Sequence, residues 1–170
     1  RASAVPKKVY EEELARLHVA NPSIGADVAA LATEALAGVF SAAQTGRLTR
    51  NQHILFRLGE MAAVVEGAGA LCRRAAAAAD GSIASKSDRR FSPEVLATIC
   101  RVYAREAALK VADDGVRWVA GGSAAAGVDS AELAATLAAT LRLDEVRAAQ
   151  AGLIADMDAI NAALYADLTA

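Results

Sequence analysis

Leu55-Phe-Arg-Leu-Gly-Glu-Met-Ala-Ala-Val-Val-Glu-Gly-Ala-Gly-Ala-Leu-Cys-Arg-Arg-Ala-Ala76 is the stretch that decides the fold. Leu55, Leu58, Ala62, Val65, Gly69, Cys72 and Ala76 recur at alternating intervals of three and four, the spacing of a bundle seam on one face of an α-helix. Thr49 is its expected N-cap, opening a helix of about thirty residues. Ile54, Met61 and Ala68 form a second stripe beside the first. A helix apolar on more than one face is either deeply buried or packs on several partners. The second stripe, together with the last helix of the chain, is therefore expected to face a second subunit or other domains of a longer protein.

The same periodicity extends in both directions. Upstream, Ile24, Val28, Leu31, Ala35, Val39 and Ala42 predict a helix to about residue 43, ended by Gln44-Thr45-Gly46. Before it, residues 7–20 read as a short charged helix opened by Pro6, with Glu11, Glu12 and Glu13 in its early turns, and Asn21-Pro22-Ser23 breaks it. Downstream, residues 80–91 read as a loop with a basic stretch at 85–90. Ser92-Pro93-Glu94 then supplies an N-cap, a first-turn proline and a first-turn acid. The helix it opens carries Leu96, Ile99, Cys100, Tyr103, Ala107 and Val111, and is expected to stop at Gly121-Gly122. After a turn at 123–129, Ser130 opens a helix with Leu133, Leu137 and Leu141. Asp144 opens a last one with Val146, Leu153, Met157, Ile160, Leu164 and Leu168. No β-strand and no fixed-period repeat is readable. The expected fold is all-α, an up-down helical bundle with additional C-terminal helices: a linker helix at 1–22, a four-helix bundle at 23–122, and a helical extension at 123–170 that packs on the bundle.

Composition narrows the function classes. The 170 residues suffice for one core. They are 55% hydrophobic but only 4% aromatic, so the excess lies in small aliphatic side chains that let helices approach closely. A net charge of −2 provides no field for nucleic acid. Charged residues interrupt every long apolar run, so a soluble chain rather than a membrane-spanning one is expected. Cys72 and Cys100 lie on apolar helical stripes and are expected to be buried, unpaired thiols, in keeping with a reducing compartment such as the cytoplasm or an organelle matrix. The first residue is Arg1 and no leader pattern follows, so the chain reads as a piece of something longer.

Two segments carry a family resemblance. Val28-Ala-Ala-Leu-Ala-Thr-Glu-Ala-Leu-Ala-Gly-Val-Phe40, the turn Gly46-Arg-Leu-Thr-Arg-Asn-Gln52 and the helix from Leu55 to Val65 resemble the extra C-terminal helical domain of the very-long-chain acyl-CoA dehydrogenases. The downstream helix, with Cys100, Arg105-Glu106-Ala107-Ala108 and Lys110-Val-Ala-Asp-Asp114, is similar in character to that domain's next helix. The region also resembles the four-helix C-terminal domain shared by all acyl-CoA dehydrogenases. There, Val111-Ala-Asp-Asp-Gly-Val-Arg-Trp-Val-Ala-Gly-Gly122 corresponds to the helix leading into a flavin-contacting Gly-Gly turn. The resemblance thus implies FAD in a parent enzyme, with Gly121 and Gly122 as the cofactor-binding candidates. The family's turn is followed by an aromatic and an Arg-rich segment, whereas Ser123-Ala-Ala-Ala-Gly-Val-Asp129 follows here.

Other chemistry finds little support. The available carboxylates are Glu60, Glu66, Glu94, Glu106 and a scatter of Asp; Glu66 and Glu106 lie amid small apolar residues that could bury them, but solvated or ion-paired roles suit them better than catalysis. His18 and His53 do not suggest a triad or a metal site. Gly67-Ala-Gly69 lacks the third glycine and the preceding strand of a dinucleotide fingerprint. Lys86, Arg89 and Arg90 could attract anionic headgroups or a CoA phosphate, but only weakly. Asp156, Asp158 and Asp167 give the last helix an acidic face that favours protein packing over membrane insertion. Three readings remain open: a noncatalytic packing domain of an acyl-CoA dehydrogenase-like flavoenzyme of fatty acid β-oxidation, a divergent domain contributing FAD or acyl-CoA contacts, and an unrelated helical adaptor. The isolated chain is expected neither to retain FAD nor to oxidise acyl-CoA, and its expected partners are parent domains or a second subunit in a homo-oligomer.

Overall fold

The computed structural model describes residues 5–84, 90–124 and 129–166. These residues form α1 (Val5–Ala20), α2 (Ala26–Thr45), α3 (Gln52–Ala79), α4 (Pro93–Ala124), α5 (Ser130–Thr140), α6 (Leu143–Ala148) and α7 (Leu153–Ala166), with single 3-10 turns at Pro22–Ile24 and Leu48–Arg50. No strand occurs among them. The all-α bundle expected from the periodicity is what forms. Its centre is α4, on which α2, α3, α5, α6 and α7 all pack, while α1 lies across α2 and α3.

Local chemistry sets the helix starts. Ser92 Oγ accepts a bond from the Val95 N–H at 3.4 Å and opens α4 as expected. The cap of α3 is Asn51 rather than Thr49: Asn51 Oδ1 accepts from the N–H groups of His53 (2.9 Å) and Ile54 (3.4 Å), while Thr49 belongs to the 3-10 turn before it. Asp129 caps α5 in the same way, accepting from the Ala131 and Glu132 N–H groups. The expected single C-terminal helix is two, α6 and α7, because the chain turns at Gly152, whose φ of +82° suits only glycine. Leu168 and Asp167 lie outside the described residues, as do residues 85–89 of the basic loop with Lys86 and Arg89.

Small side chains dominate the interior. Ala29, Ala32, Ala35 and Val39 of α2 meet Ala104, Ala107, Ala108 and Val111 of α4 in a core that also takes in Leu137, Leu141, Leu143 and Val146 from α5, α6 and the turn between them. The α2–α4 approach is close at Gly115 of α4, where a Cβ would strike Val39 Cγ2 and come within 3.2 Å of Leu141 Cδ1. By length and composition α2 could cross a membrane, although it carries Asp27 and Glu34. In the fold its Ala26, Ala29, Ala32, Ala35, Val39 and Ala43 are buried against neighbouring helices.

The face of α3 differs from expectation. Ile54, Leu58, Met61, Val65, Ala68 and Cys72 share the buried side. The two stripes read from the sequence are thus interleaved halves of one face, and Ile54 and Met61 belong to the internal core (4% and 1% exposed), not to a docking surface. Leu55, assigned to the seam, is 52% exposed, because the seam begins one residue earlier, on Ile54. Cys72 and Cys100 are free and buried, as expected.

Candidate functional site

Gly121 and Gly122 do not form a turn. They lie in the last turn of α4, which runs on to Ala124, and helical N–H groups are directed to carbonyls four residues back. The pair therefore offers no free amides of the kind found at a glycine turn or a helix N-terminus. A side chain at Gly121 would meet nothing within 4 Å, whereas one at Gly122 would press on Leu48 Cδ2 at 3.2 Å.

Beside the pair lies an open groove of about 530 Å³, walled by the C-terminal halves of α2 and α4 and by α5. Val119 and the buried Ser123 form one side; Leu133 and Leu137 form another. Two of its threonines turn their protons inward to their own helices: Thr45 donates to the Ser41 carbonyl (3.0 Å) and Thr140 to that of Thr136 (2.8 Å). Among the described residues no charged side chain lines it. The groove suits an apolar or weakly polar group and has no cation with which to hold a phosphate.

The carboxylates considered as catalysts face solvent or cations. Glu60 bonds Arg57 Nη1 at 2.9 Å and Lys110 Nζ at 3.0 Å, and Lys110 and Arg57 hold its carboxyl below the usual range. Lys110 also reaches Asp114 at 2.8 Å. Exposed Glu66 accepts the Tyr10 hydroxyl at 3.4 Å. Glu94, also exposed, sits beside Ser92, whose hydrogen bond lowers its carboxyl pKa. Glu106 is exposed. A base that removes an acyl α-proton must reach it inside a bound complex, and none of these four lines the apolar groove. The histidines are equally dispersed: His18 Nδ1 lies 3.6 Å from Asp27, and His53 meets the Trp118 ring edge-on at 4.9 Å. Among the described residues no cluster of three or more His, Cys, Asp or Glu could hold a metal ion.

The polar centre that sequence reading missed joins α4 to α7. Asp156, expected on a solvent-facing acidic side, is turned inward with its side chain 16% exposed. It accepts from Arg101 Nε (2.9 Å) and Nη2 (2.6 Å), and from Arg105 Nη1. Arg101 also donates to the Ser23 carbonyl at 2.7 Å, and Arg105 to that of Ala149 at 2.8 Å. The Arg101 hydrogen bond, helped by Arg105, holds the Asp156 carboxyl below its ordinary range against the cost of desolvation. The available signal was the spacing of Arg101 and Arg105, one helical turn apart on the same face.

Comparison with known families decides what this arrangement belongs to. Residues 13–152 match the family model of the acyl-CoA dehydrogenase C-terminal domain. The chain belongs to that family. No curated protein and no solved structure matches it.

As an acyl-CoA dehydrogenase C-terminal domain, the chain carries its matched region from within α1 to Gly152, the residue at which the backbone turns into α7. Helices α2 to α6 fall inside the match and α7 begins just after it. The flavin dinucleotide that the family implies needs donors or cations for its pyrophosphate. The helical backbone at Gly121 and Gly122 offers no free amides, and the described lining of the groove beside them holds hydroxyls such as Ser41 and Ser123 but no cation, so these residues alone do not make a pyrophosphate cradle.

Proposed function

We propose that this chain is a noncatalytic packing domain of an acyl-CoA dehydrogenase-like flavoenzyme of fatty acid β-oxidation, working in the cytoplasm or an organelle matrix, with FAD held by other parts of the parent protein. The observation that carries the reading is the set of large apolar side chains left in solvent. On the first turn of α3, Leu55 and Phe56 are 52% and 68% exposed; on α7, Ile154 and Tyr165 are 68% and 58% exposed. Water is a poor environment for such groups when they are clustered, and exposed apolar patches mark surfaces that other protein covers. Parent domains or a second copy of the chain are the partners that fit. The finer kinship, with the extra domain of the very-long-chain enzymes, is supported by the turn at 46–52 between two long helices.

The test uses the purified chain with FAD, acyl-CoA and an artificial electron acceptor, alongside sedimentation. No turnover, no flavin absorbance carried through gel filtration, and a self-association weakened by Phe56→Ser and Ile154→Ser are expected. Flavin that co-purifies with the chain, or flavin-dependent turnover, would replace this reading with that of a domain contributing cofactor contacts.

A further inference from the structure

Cys72 of α3 and Cys100 of α4 are both fully buried, and their sulfurs lie 3.3 Å apart with the Cys100 thiol donating to Cys72 Sγ. They meet because small residues line this part of the α3–α4 contact: Ala68, Ala75 and Ala76 on one helix, Ala97 and Ala104 on the other. An arginine follows each cysteine. Arg73 pairs with Glu13 at 3.2 Å and Arg101 with Asp156, so each cation is held in the turn next to a thiol. The two thiols sit in the core between different helices and are not part of the apolar surfaces described above.

We propose that Cys72 and Cys100 form a dithiol modification site, which hydrogen peroxide or an organic hydroperoxide closes into an intrachain disulfide that staples α3 to α4. The hydrogen bond makes the pair unequal. Accepting the Cys100 proton holds the Cys72 thiol below its ordinary pKa, with Arg73 assisting, whereas giving that bond and burial push Cys100 far up. Cys72 is therefore the sulfur that reacts first. Its thiolate attacks one peroxide oxygen, the O–O bond breaks, and the leaving hydroxide, or alkoxide from an organic hydroperoxide, takes the proton given up by Cys72 to become water or an alcohol; Cys72 is now a sulfenic acid. Cys100 sulfur then attacks Cys72 sulfur, the S–O bond breaks, and a water leaves with the Cys100 proton. Two thiols are oxidised and one peroxide is reduced. Forming the bond requires the sulfurs to close by about 1 Å, to the ~2.05 Å of a disulfide. In a reducing compartment such a bond is transient and redox-sensing, not structural.

The inference is independent of the packing role. To test it, the full chain is reduced, desalted, exposed to hydrogen peroxide in native buffer, then denatured and alkylated. Intact mass should fall by two hydrogen atoms with no thiol left to alkylate, a peptide pair joining Cys72 to Cys100 should be recovered, and dithiothreitol should reverse both. In Cys100→Ser the Cys72 sulfenic acid should be trapped by a dimedone probe, and Cys72→Ser should label severalfold less. The wild-type mass measurement stands even if a variant fails to fold. The proposal is overturned if both thiols survive peroxide that oxidises the urea-unfolded chain, if the product is a disulfide-linked dimer, or if each sulfur proceeds to sulfinic acid without a cross-link.

Discussion

Arg101 grips Asp156 side-on, Nε to Oδ2 and Nη2 to Oδ1, and this pair fastens α7 to the body of the bundle. Among its described side chains α7 contributes no fully buried residue, since Leu153, Asp156, Ile160 and Ala163 are only partly covered. Its attachment therefore leans on the ion pair. Asp156→Ala leaves two half-buried arginines facing each other, and should lower stability by about 1–3 kcal/mol. Urea unfolding measures the loss, and an unchanged midpoint would mean that apolar contacts alone hold α7.

The same pair makes the attachment acid-sensitive. The Asp156 carboxyl is held below its ordinary value in the fold, so its contribution is complete above the unfolded value of about 4 and fades as pH falls through the lower folded one. Amide exchange in α7, taken relative to the intrinsic rate at each pH, should rise below about pH 4 in the native protein. In Asp156→Asn that pH-dependent rise should be largely absent, and an equal rise in both proteins would assign the effect to other carboxyls.

Neighbouring positions on α3 should behave in opposite ways. Lysine at Met61, which is 1% exposed, places an unpaired charge in the core and should cost more than about 3 kcal/mol, enough to unfold much of the population. Serine at Phe56, 68% exposed, should leave the melting temperature within a few degrees. Thermal unfolding followed by circular dichroism distinguishes the two, and a stable Met61→Lys protein would show that the α3 face has been misplaced.

A pair of glycines separates helix propensity from packing. Alanine in place of a mid-helix glycine gains about 0.5–1 kcal/mol from propensity. At Gly59, where a side chain would meet nothing within 4 Å, that gain should appear undiminished. At Gly115 the added methyl strikes Val39 and crowds Leu141, and overpacking of about 1–3 kcal/mol should outweigh it. Stabilisation at both sites would mean that α2 and α4 can move apart without penalty.

Much of the fold was legible because the long helices carry their own punctuation. Ser92-Pro93-Glu94 marks the start of α4 and Gly46 the end of α2, where its N–H closes onto the Ala42 carbonyl at 2.9 Å. The phase of α3 was not legible: with apolar or small residues around much of the helix, sequence alone does not say which arc turns to α4. The Gly121-Gly122 signal misled, since Leu48 and Ile54 pack against Gly122 and the helix continues past a pair that reads locally as a stop. At the candidate sites, Glu66 and Glu106 stand amid small apolar residues in the sequence yet are exposed in the fold. The Asp156 centre and the 3.3 Å contact between Cys72 and Cys100 arise from helices meeting across the bundle, which local periodicity does not encode.

Close to half of the buried apolar positions are alanines, among them Ala29, Ala32 and Ala35 of α2 and Ala104, Ala107 and Ala108 of α4. A buried alanine freezes no rotamers on folding, and it has almost nothing to lose by truncation. The direction of mutational risk is thereby reversed from that of a leucine-rich interior. Random change at these positions nearly always adds atoms, so harm comes through wedging helices apart instead of hollowing them out. Over generations the alanine seam of such a bundle would resist every enlargement, while the fully buried Leu58, Met61 and Leu141 remain the places where trimming would hollow it.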